Sequence, residues 1–176
     1  DSTLKNFYFH DGIVWQQIIT DSNNLWRKNG TDIYNANTGN VGIGTTTAQS
    51  LLHVKGGAVL FDSIIGSTPS SGPGTRMMWI PAKSAFRAYY VLNTQWDDTN
   101  IGDYSIALGY STTASGSYST ALGYSTTASG ITSTAMGSIS TASGNYSIAL
   151  GEGAIASGET SRAMGYFTTA SGTYST

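Results

Sequence analysis

The sequence contains no cysteine, so disulfides, thiolate metal sites and cysteine nucleophiles are excluded. Only 10% of its 176 residues are charged, whereas ordinary soluble domains carry roughly 25%. The formal net charge is -2, so there is no basic footprint for nucleic acid or an anionic membrane. No run of about 18 apolar residues is present to span a membrane as a helix. Proline occurs only three times. Beginning at Asp1 without a signal or transit pattern, the chain reads as a mature or trimmed product, and its lack of thiols fits export. Scarce charge does not mean disorder here, because 39% of residues are hydrophobic and 11% aromatic.

What is abundant is glycine, 22 residues, together with serine, threonine and alanine. Of eight basic and ten acidic residues, only Glu152, Glu159 and Arg162 fall between Ser105 and Tyr174. That stretch is a repeat. From Ser105 it divides without gaps into five units of 14 residues: SIALGYSTTASGSY, STALGYSTTASGIT, STAMGSISTASGNY, SIALGEGAIASGET and SRAMGYFTTASGTY. Ser175 and Thr176 open a sixth, and Ile101-Gly102-Asp103-Tyr104 fits the end of a preceding one.

Fourteen residues are too few for a helix-turn-helix unit. Two glycines per unit and dense Ser/Thr oppose helix. The expectation is an all-β chain whose repeats form a parallel β-roll, one unit per coil. At about 4.8 Å per coil, five coils make a rod of roughly 24 Å. The glycines at the fifth and twelfth positions (Gly109, Gly116, Gly123, Gly130, Gly137, Gly144, Gly151, Gly158, Gly165 and Gly172) are expected near the two turns of each coil.

Strand alternation then sorts the faces. Ser at the first position and Ala at the third are small enough for a thin interior, and Ala114, Ala128, Ala142, Ala156 and Ala170 at the tenth can meet them. The fourth position must point outward. It holds Leu108, Leu122, Met136, Leu150 and Met164, and Ile106 and Ile148 at the second position extend this ladder. A continuous exposed apolar ladder predicts an interface. The competing arrangement packs the ladder inside a wider, monomeric coil, where 14 residues leave little room for Leu or Met. Arg162 at the second position suits neither arrangement and marks a margin.

The pattern S-x-A-[LM]-G-x-x-[ST]-x-A-S-G resembles the 14-residue head repeat of trimeric autotransporter adhesins, the YadA-like or haemagglutinin-type repeats. The resemblance covers Ser105 to Thr176. It implies a left-handed parallel β-roll, three chains around one axis, and a surface-exposed adhesive rod. Ala154 departs from the usual hydroxyl at the eighth position without threatening the fold.

The first hundred residues carry ordinary strand and turn chemistry. Phe7-Tyr8-Phe9, Gly12 to Ile19 and Leu25-Trp26-Arg27 read as strands, Asp21 to Asn24 as a turn, and Asn29-Gly30 as a hairpin signal. Leu51 to Gly56 reads as a half-buried strand. Asn37 to Gly56, NTGNVGIGTTTAQSLLHVKG, resembles a segment of phage tail fibres and bacterial surface fibres, often in chains ending in an endosialidase-type chaperone; the familiar form has Pro where Ala48 stands. With no such chaperone and an open sixth repeat, the natural protein is expected to continue beyond Thr176. Ser67 to Gly74 is the linker candidate, and an aromatic neck follows it. The expected domains are therefore a β-rich fibre module at 1–66, linker and neck at 67–104, and the β-roll at 105–176.

Catalytic signatures are weak. Gly42-Ile43-Gly44 lacks the third glycine and the helix of a nucleotide loop, and serves a tight backbone path instead. His10-Asp11 and His53 are metal-ligand candidates without a third ligand placed by spacing. Asp97, Asp98 and Asp103 offer oxygens for calcium, but a solvated turn is the simpler reading. No glycosidase carboxylate pair or G-x-S-x-G elbow is recognisable. Asn29-Gly30-Thr31 and Asn145-Tyr146-Ser147 are glycosylation sequons in form only. Tyr110, Tyr124 and Tyr166 form one repeated column, and Tyr118, Tyr146 and Tyr174 another. Such ladders tie neighbouring strands and present rings to sugars or partner surfaces.

The expected function is non-enzymatic: a homotrimeric extracellular fibre, on a cell or a virion-like particle, that attaches to a cell-surface, glycan or matrix receptor. No cofactor, metal, nucleic acid or membrane span enters this reading. An ice-binding monomer is the alternative, prompted by Thr112, Thr113, Thr126, Thr127, Thr141, Thr168 and Thr169. Neighbouring threonines on a strand face opposite sides, so they do not make flat T-x-T rows. A fibre-borne depolymerase lacks a catalytic domain of usual size.

Overall fold

The computed structural model describes the backbone of residues 7–10, 15–18, 26–29, 31–35, 39–61 and 66–176; side chains are described from 39 onward within these ranges and at Thr31. The chain divides into two compact units, 1–60 and 61–176.

The first unit is built of short paired strands. β1 (Phe7–His10) pairs antiparallel with β2 (Trp15–Ile18). β3 (Trp26–Asn29) pairs antiparallel with β4 (Asp32–Asn35), and Asn29 faces Asp32 across the expected hairpin. β5 (Val41–Ile43) runs parallel to β6 (Leu52–Val54). Gly44 has φ +74°, and a Cβ there would lie 2.2 Å from the Lys55 carbonyl oxygen. The G-x-G pair thus lets two backbones pass closely and builds no nucleotide loop. Leu52 and Val54 are exposed, not half-buried, because β6 pairs with β5 alone.

The second unit is a parallel β-solenoid with an antiparallel hairpin at its head. The hairpin is β7 (Gly74–Ile80) and β8 (Ala85–Val91), joined by the 3-10 turn Pro81–Lys83. Each 14-residue unit then gives one five-residue and one two-residue strand. The long strands are β9 (Ile106–Tyr110), β11 (Thr120–Tyr124), β13 (Thr134–Ser138), β15 (Ile148–Glu152) and β17 (Arg162–Tyr166). The short ones are β10 (Thr113–Ala114), β12 (Thr127–Ala128), β14 (Thr141–Ala142), β16 (Ile155–Ala156) and β18 (Thr169–Ala170). They form two layers, a seven-stranded sheet β17-β15-β13-β11-β9-β8-β7 and a five-stranded sheet β10-β12-β14-β16-β18.

Every coil pairs with the next in strict repeat register, as Ala107, Ala121, Ala135, Ala149 and Ala163 show. The two alanine columns face each other and are fully or nearly fully buried. Ser at the first position and the residue at the eighth, such as Thr112 or Thr126, are buried with them. The interior is therefore one methyl or hydroxyl deep on each side, too thin for Leu or Met.

The corners are made by residues in the left-handed region, at the seventh and fourteenth positions of each unit, with φ between 50° and 62°. They include Ser125, Ile139, Tyr118 and Thr132. Their N–H groups donate to the coil before, as Ser125 N does to the Tyr110 carbonyl at 2.7 Å and Tyr118 N to Asp103 at 2.8 Å. These bonds hold in place a conformation that costs a non-glycine residue about 1–2 kcal/mol. Of these corner residues only Gly153 is a glycine, and the repeated glycines occupy other places. The twelfth-position glycines open the bend, with Ser119 N donating to the Gly116 carbonyl. The fifth-position glycines stand inside the long strands instead of at a corner. The reason is crowding: a Cβ on Gly123, at φ +119°, would lie 2.0 Å from the Gly137 carbonyl oxygen.

Candidate self-association face

The outer face of the seven-stranded sheet is assembled by alternation alone. With the third-position alanines inside, the second, fourth and sixth positions all point out. The fourth-position column runs Leu108, Leu122, Met136, Leu150, Met164 in direct pairing register. Leu108, Leu122, Ile148 and Leu150 are half-buried, while Ile106, Met136 and Met164 are exposed. Met164 is the most open of the column, at 61%, because β17 is the edge strand. The structure thus brings all seven residues of the expected ladder onto one face. Arg162 continues the second-position column at that same edge and is exposed.

A third column flanks the ladder. Tyr90, Tyr110 and Tyr124 stack in series, with ring centroids 5.2 and 5.0 Å apart. At the corner, Tyr104 stacks on Tyr118 at 4.8 Å. Stacking at the strand spacing strengthens the coil-to-coil bond, and the outer Tyr edges stay exposed. The threonines fall on two sides: those at the eighth position point in, while Thr113, Thr127 and Thr141 at the ninth point out in a single row.

The repeat pattern alone misses how this face begins. β8 is a disguised coil. Phe86, Arg87 and Ala88 pair with Ile106, Ala107 and Leu108, and Tyr90 sits over Tyr110. Tyr89 holds φ 103° where the repeats place glycine at φ near 120°. The signal is the spacing Phe86-x-Ala88-x-Tyr90, which matches Ile106-x-Leu108-x-Tyr110. An insertion between Val91 and Ile101, carrying the short helix Asp98–Asn100, hides it.

Arg87 therefore enters the interior where later coils have alanine. Its Nη1 donates to the carbonyls of Phe86 and Ser105, and Nη2 to Ser105 Oγ and the Ala114 carbonyl, all within 2.7–2.9 Å. Burial lowers its pKa to about 10, so it remains a cation at neutral pH. Trp96 is also fully buried, its indole donating to the Thr112 carbonyl at 2.8 Å. With Met78, Ile80, Ala85, Val91 and Ile101, Trp96 forms a second apolar core that closes the solenoid's end.

The acidic cluster is structural. Asp97 accepts from Gly72 N at 2.7 Å, and Asp98 accepts from Thr68 Oγ1 at 2.7 Å and pairs with Lys83 at 3.5 Å. These contacts tie Thr68 and Gly72 to the turn at 97–100 and that turn to Lys83. The Thr68 hydrogen bond, aided by Lys83, holds the Asp98 carboxyl below its ordinary value. Asp103 is exposed at a corner. His53 accepts from Gln49 N. The side chains of His10 and Asp11 lie outside the described residues. Among the described residues no group of three His, Asp or Glu is placed to hold a metal. No described helix is long and apolar enough to cross a membrane.

The comparisons with known proteins agree with this geometry. A family model of the YadA head domain repeat (two copies) matches residues 101–126, 128–154 and 156–176, about two fifths of the chain. No curated protein matches the chain. The match begins at Ile101, where the disguised coil rejoins the repeat, and runs through every later coil. Over residues 101–176 the chain is similar to YadA head domain repeats, the repeats of trimeric autotransporter adhesin heads.

Proposed function

We propose that this chain forms a homotrimeric, non-enzymatic fibre segment that attaches a cell or particle surface to a receptor. YadA head repeats are parts of surface-exposed adhesins, and this anchors the coarse assignment. One observation carries the finer one: the fourth-position ladder from Leu108 to Met164 lies unbroken on the outer face of the long sheet. A solvated monomer has no use for a ladder that spans five coils. Three copies around a common axis bury it on all sides and leave the short sheets and Tyr corners outward. Attachment to a cell-surface, glycan or matrix receptor then gains from three identical sites on one rod. In this reading residues 1–66 are a fibre module and 67–104 a linker and neck, and the assembly stands outside the cell or on a particle surface.

Light scattering after size exclusion tests the assembly. The expected mass is three times the 18.4 kDa of the chain. A monomer at that measurement overturns the proposal. Binding to immobilised matrix proteins and glycans, with the monomeric ladder variant described below as control, tests the attachment.

A further inference from the structure

The hairpin at the head of the solenoid carries a face that neither the repeat nor its family accounts for. On β7, Met78 and Ile80 point into the neck core, so Met77 and Trp79 point the other way. Both are exposed, Met77 at 70% and Trp79 at 41%. Their neighbours are set by pairing: Trp79 faces Phe86, which faces Ile106, and Met77 faces Ala88, which faces Leu108. The second-position column of the solenoid thus continues for two more strands with larger side chains, Phe86 and Trp79, and the fourth-position column continues through Ala88 to Met77. Beside them lies a hollow of about 350 Å³, lined by Phe61, Pro69, Met77, Met78, Trp79 and Phe86. No charged residue lines it. Arg76, next along β7, is turned to the linker, where it donates to Ser70 Oγ and the Gly72 carbonyl.

We propose that this hairpin face is an association collar that packs against a second copy of this chain, with apolar side chains of the neighbour seated in the hollow. The inference rests on the trimeric reading above and extends it to a part of the chain that carries no head repeat. The occupant follows from continuity. The face is coplanar with the ladder because β7, β8 and β9 belong to one sheet. In a parallel three-fold rod each level meets the same level of its neighbours. If the ladder is buried between copies, the hairpin directly above it meets the neighbouring hairpin. Large apolar groups at that level then lose their contact with water. The collar also places the widest aromatic packing at the end of the rod, where the thin alanine interior supplies least.

The absence of cysteine from the chain provides the test. Single variants Met77→Cys, Leu122→Cys and Thr141→Cys are each treated with a short bismaleimide and run under denaturing conditions. All three positions are at the surface or half-buried, and far-UV circular dichroism checks that each variant is folded. The collar is supported when Met77→Cys and Leu122→Cys both give covalently linked chains and Thr141→Cys, on the opposite sheet, does not. Linking at Leu122→Cys but not at Met77→Cys overturns the collar and leaves the trimer standing. Equal linking at Met77→Cys and Thr141→Cys reports random collision and also overturns it. No linking at either face position, with a monomeric mass, removes the trimer and the collar together.

Discussion

Arg87 Nη2 donates to the carbonyl oxygen of Ala114 at 2.9 Å, spanning the two layers of the solenoid at its first coil. In later coils that space is filled by paired alanine methyls. At the level of β8 the five-stranded sheet has no strand before β10, so no alanine methyl faces the long sheet there. One long side chain with forked donors takes that place. It fills the gap and gives the Ser105 and Ala114 carbonyls, which already accept from Phe86 N and Gly102 N, a second donor each.

Replacing it is therefore expected to be costly despite the absence of a carboxylate partner. Arg87→Ala leaves a cavity and removes the guanidinium hydrogen bonds to Ser105 and Ala114, whose carbonyls keep only their bonds from Phe86 N and Gly102 N. The expected loss is about 2–4 kcal/mol. Arg87→Met restores volume but not donors, and is expected to recover only part of that loss. Urea unfolding followed by circular dichroism measures both. Equal stability of Arg87→Ala and the parent chain rules out the capping role.

Thr126 presents the opposite case. It is fully buried, and its hydroxyl has no hydrogen-bond partner. The equivalent place in the fourth unit is already Ala154. A hydroxyl buried without a partner costs about 1–3 kcal/mol. Thr126→Val keeps the shape and removes the polar group, so it is expected to raise stability by about 1 kcal/mol. A shift of the urea midpoint to lower concentration contradicts this.

How much of this was legible beforehand depends on which force set each feature. Period 14 and the size limit of a thin coil place Ala121 inside and Leu122 outside, because alternation admits one solution. The turns were less legible. Glycine suggests a corner, but Gly123 serves close backbone stacking, while Ile139 and Thr132 take the left-handed corners through bonds to the preceding coil. Those bonds are long-range in sequence and leave no residue-type signal. The neck was obscured for another reason. The insertion after Val91 shifts β8 out of the 14-residue frame, so Phe86 and Tyr90 look like isolated aromatics until their pairing with Ile106 and Tyr110 is seen.

Gly123 gives a sharp test of the stacking argument. Glycine in a strand interior is ordinarily less stable than alanine by roughly 0.5–1 kcal/mol. Here the added Cβ meets the Gly137 carbonyl oxygen at 2.0 Å, on a backbone that alanine disfavours. Gly123→Ala is expected to lose about 3 kcal/mol, reversing the usual sign. Thermal unfolding of the variant decides between the two.

Asp98 links the neck to pH. The Thr68 hydrogen bond and Lys83 lower its pKa below the ordinary 3.8. A carboxylate held below its unfolded value stabilises the fold above pH 3.8, and that contribution is lost as pH falls through the folded value. Asp98→Asn is therefore expected to melt below the parent chain at neutral pH. The gap is expected to close progressively under pH 3.8. A gap that stays constant through that range means that the carboxylate charge does not tie Thr68 to the turn at 97–100.

The ladder separates association from folding. Leu122 and Met136 sit on the outer face, next to each other in register, while the alanines that hold the coil lie behind them. Leu122→Glu with Met136→Glu therefore leaves the solenoid interior untouched. In a monomer the two carboxylates point to water, and the cost is small. Between copies they bring six like charges together in an apolar seam, where each buried charge without a partner costs several kcal/mol. The expected result is a folded chain with parallel-β circular dichroism whose mass drops from three chains to one. A double variant that keeps the assembled mass places the ladder away from the interface. One that loses both mass and circular dichroism means that the coils fold only in the assembly, and the single Leu122→Glu change at rising protein concentration then measures that coupling.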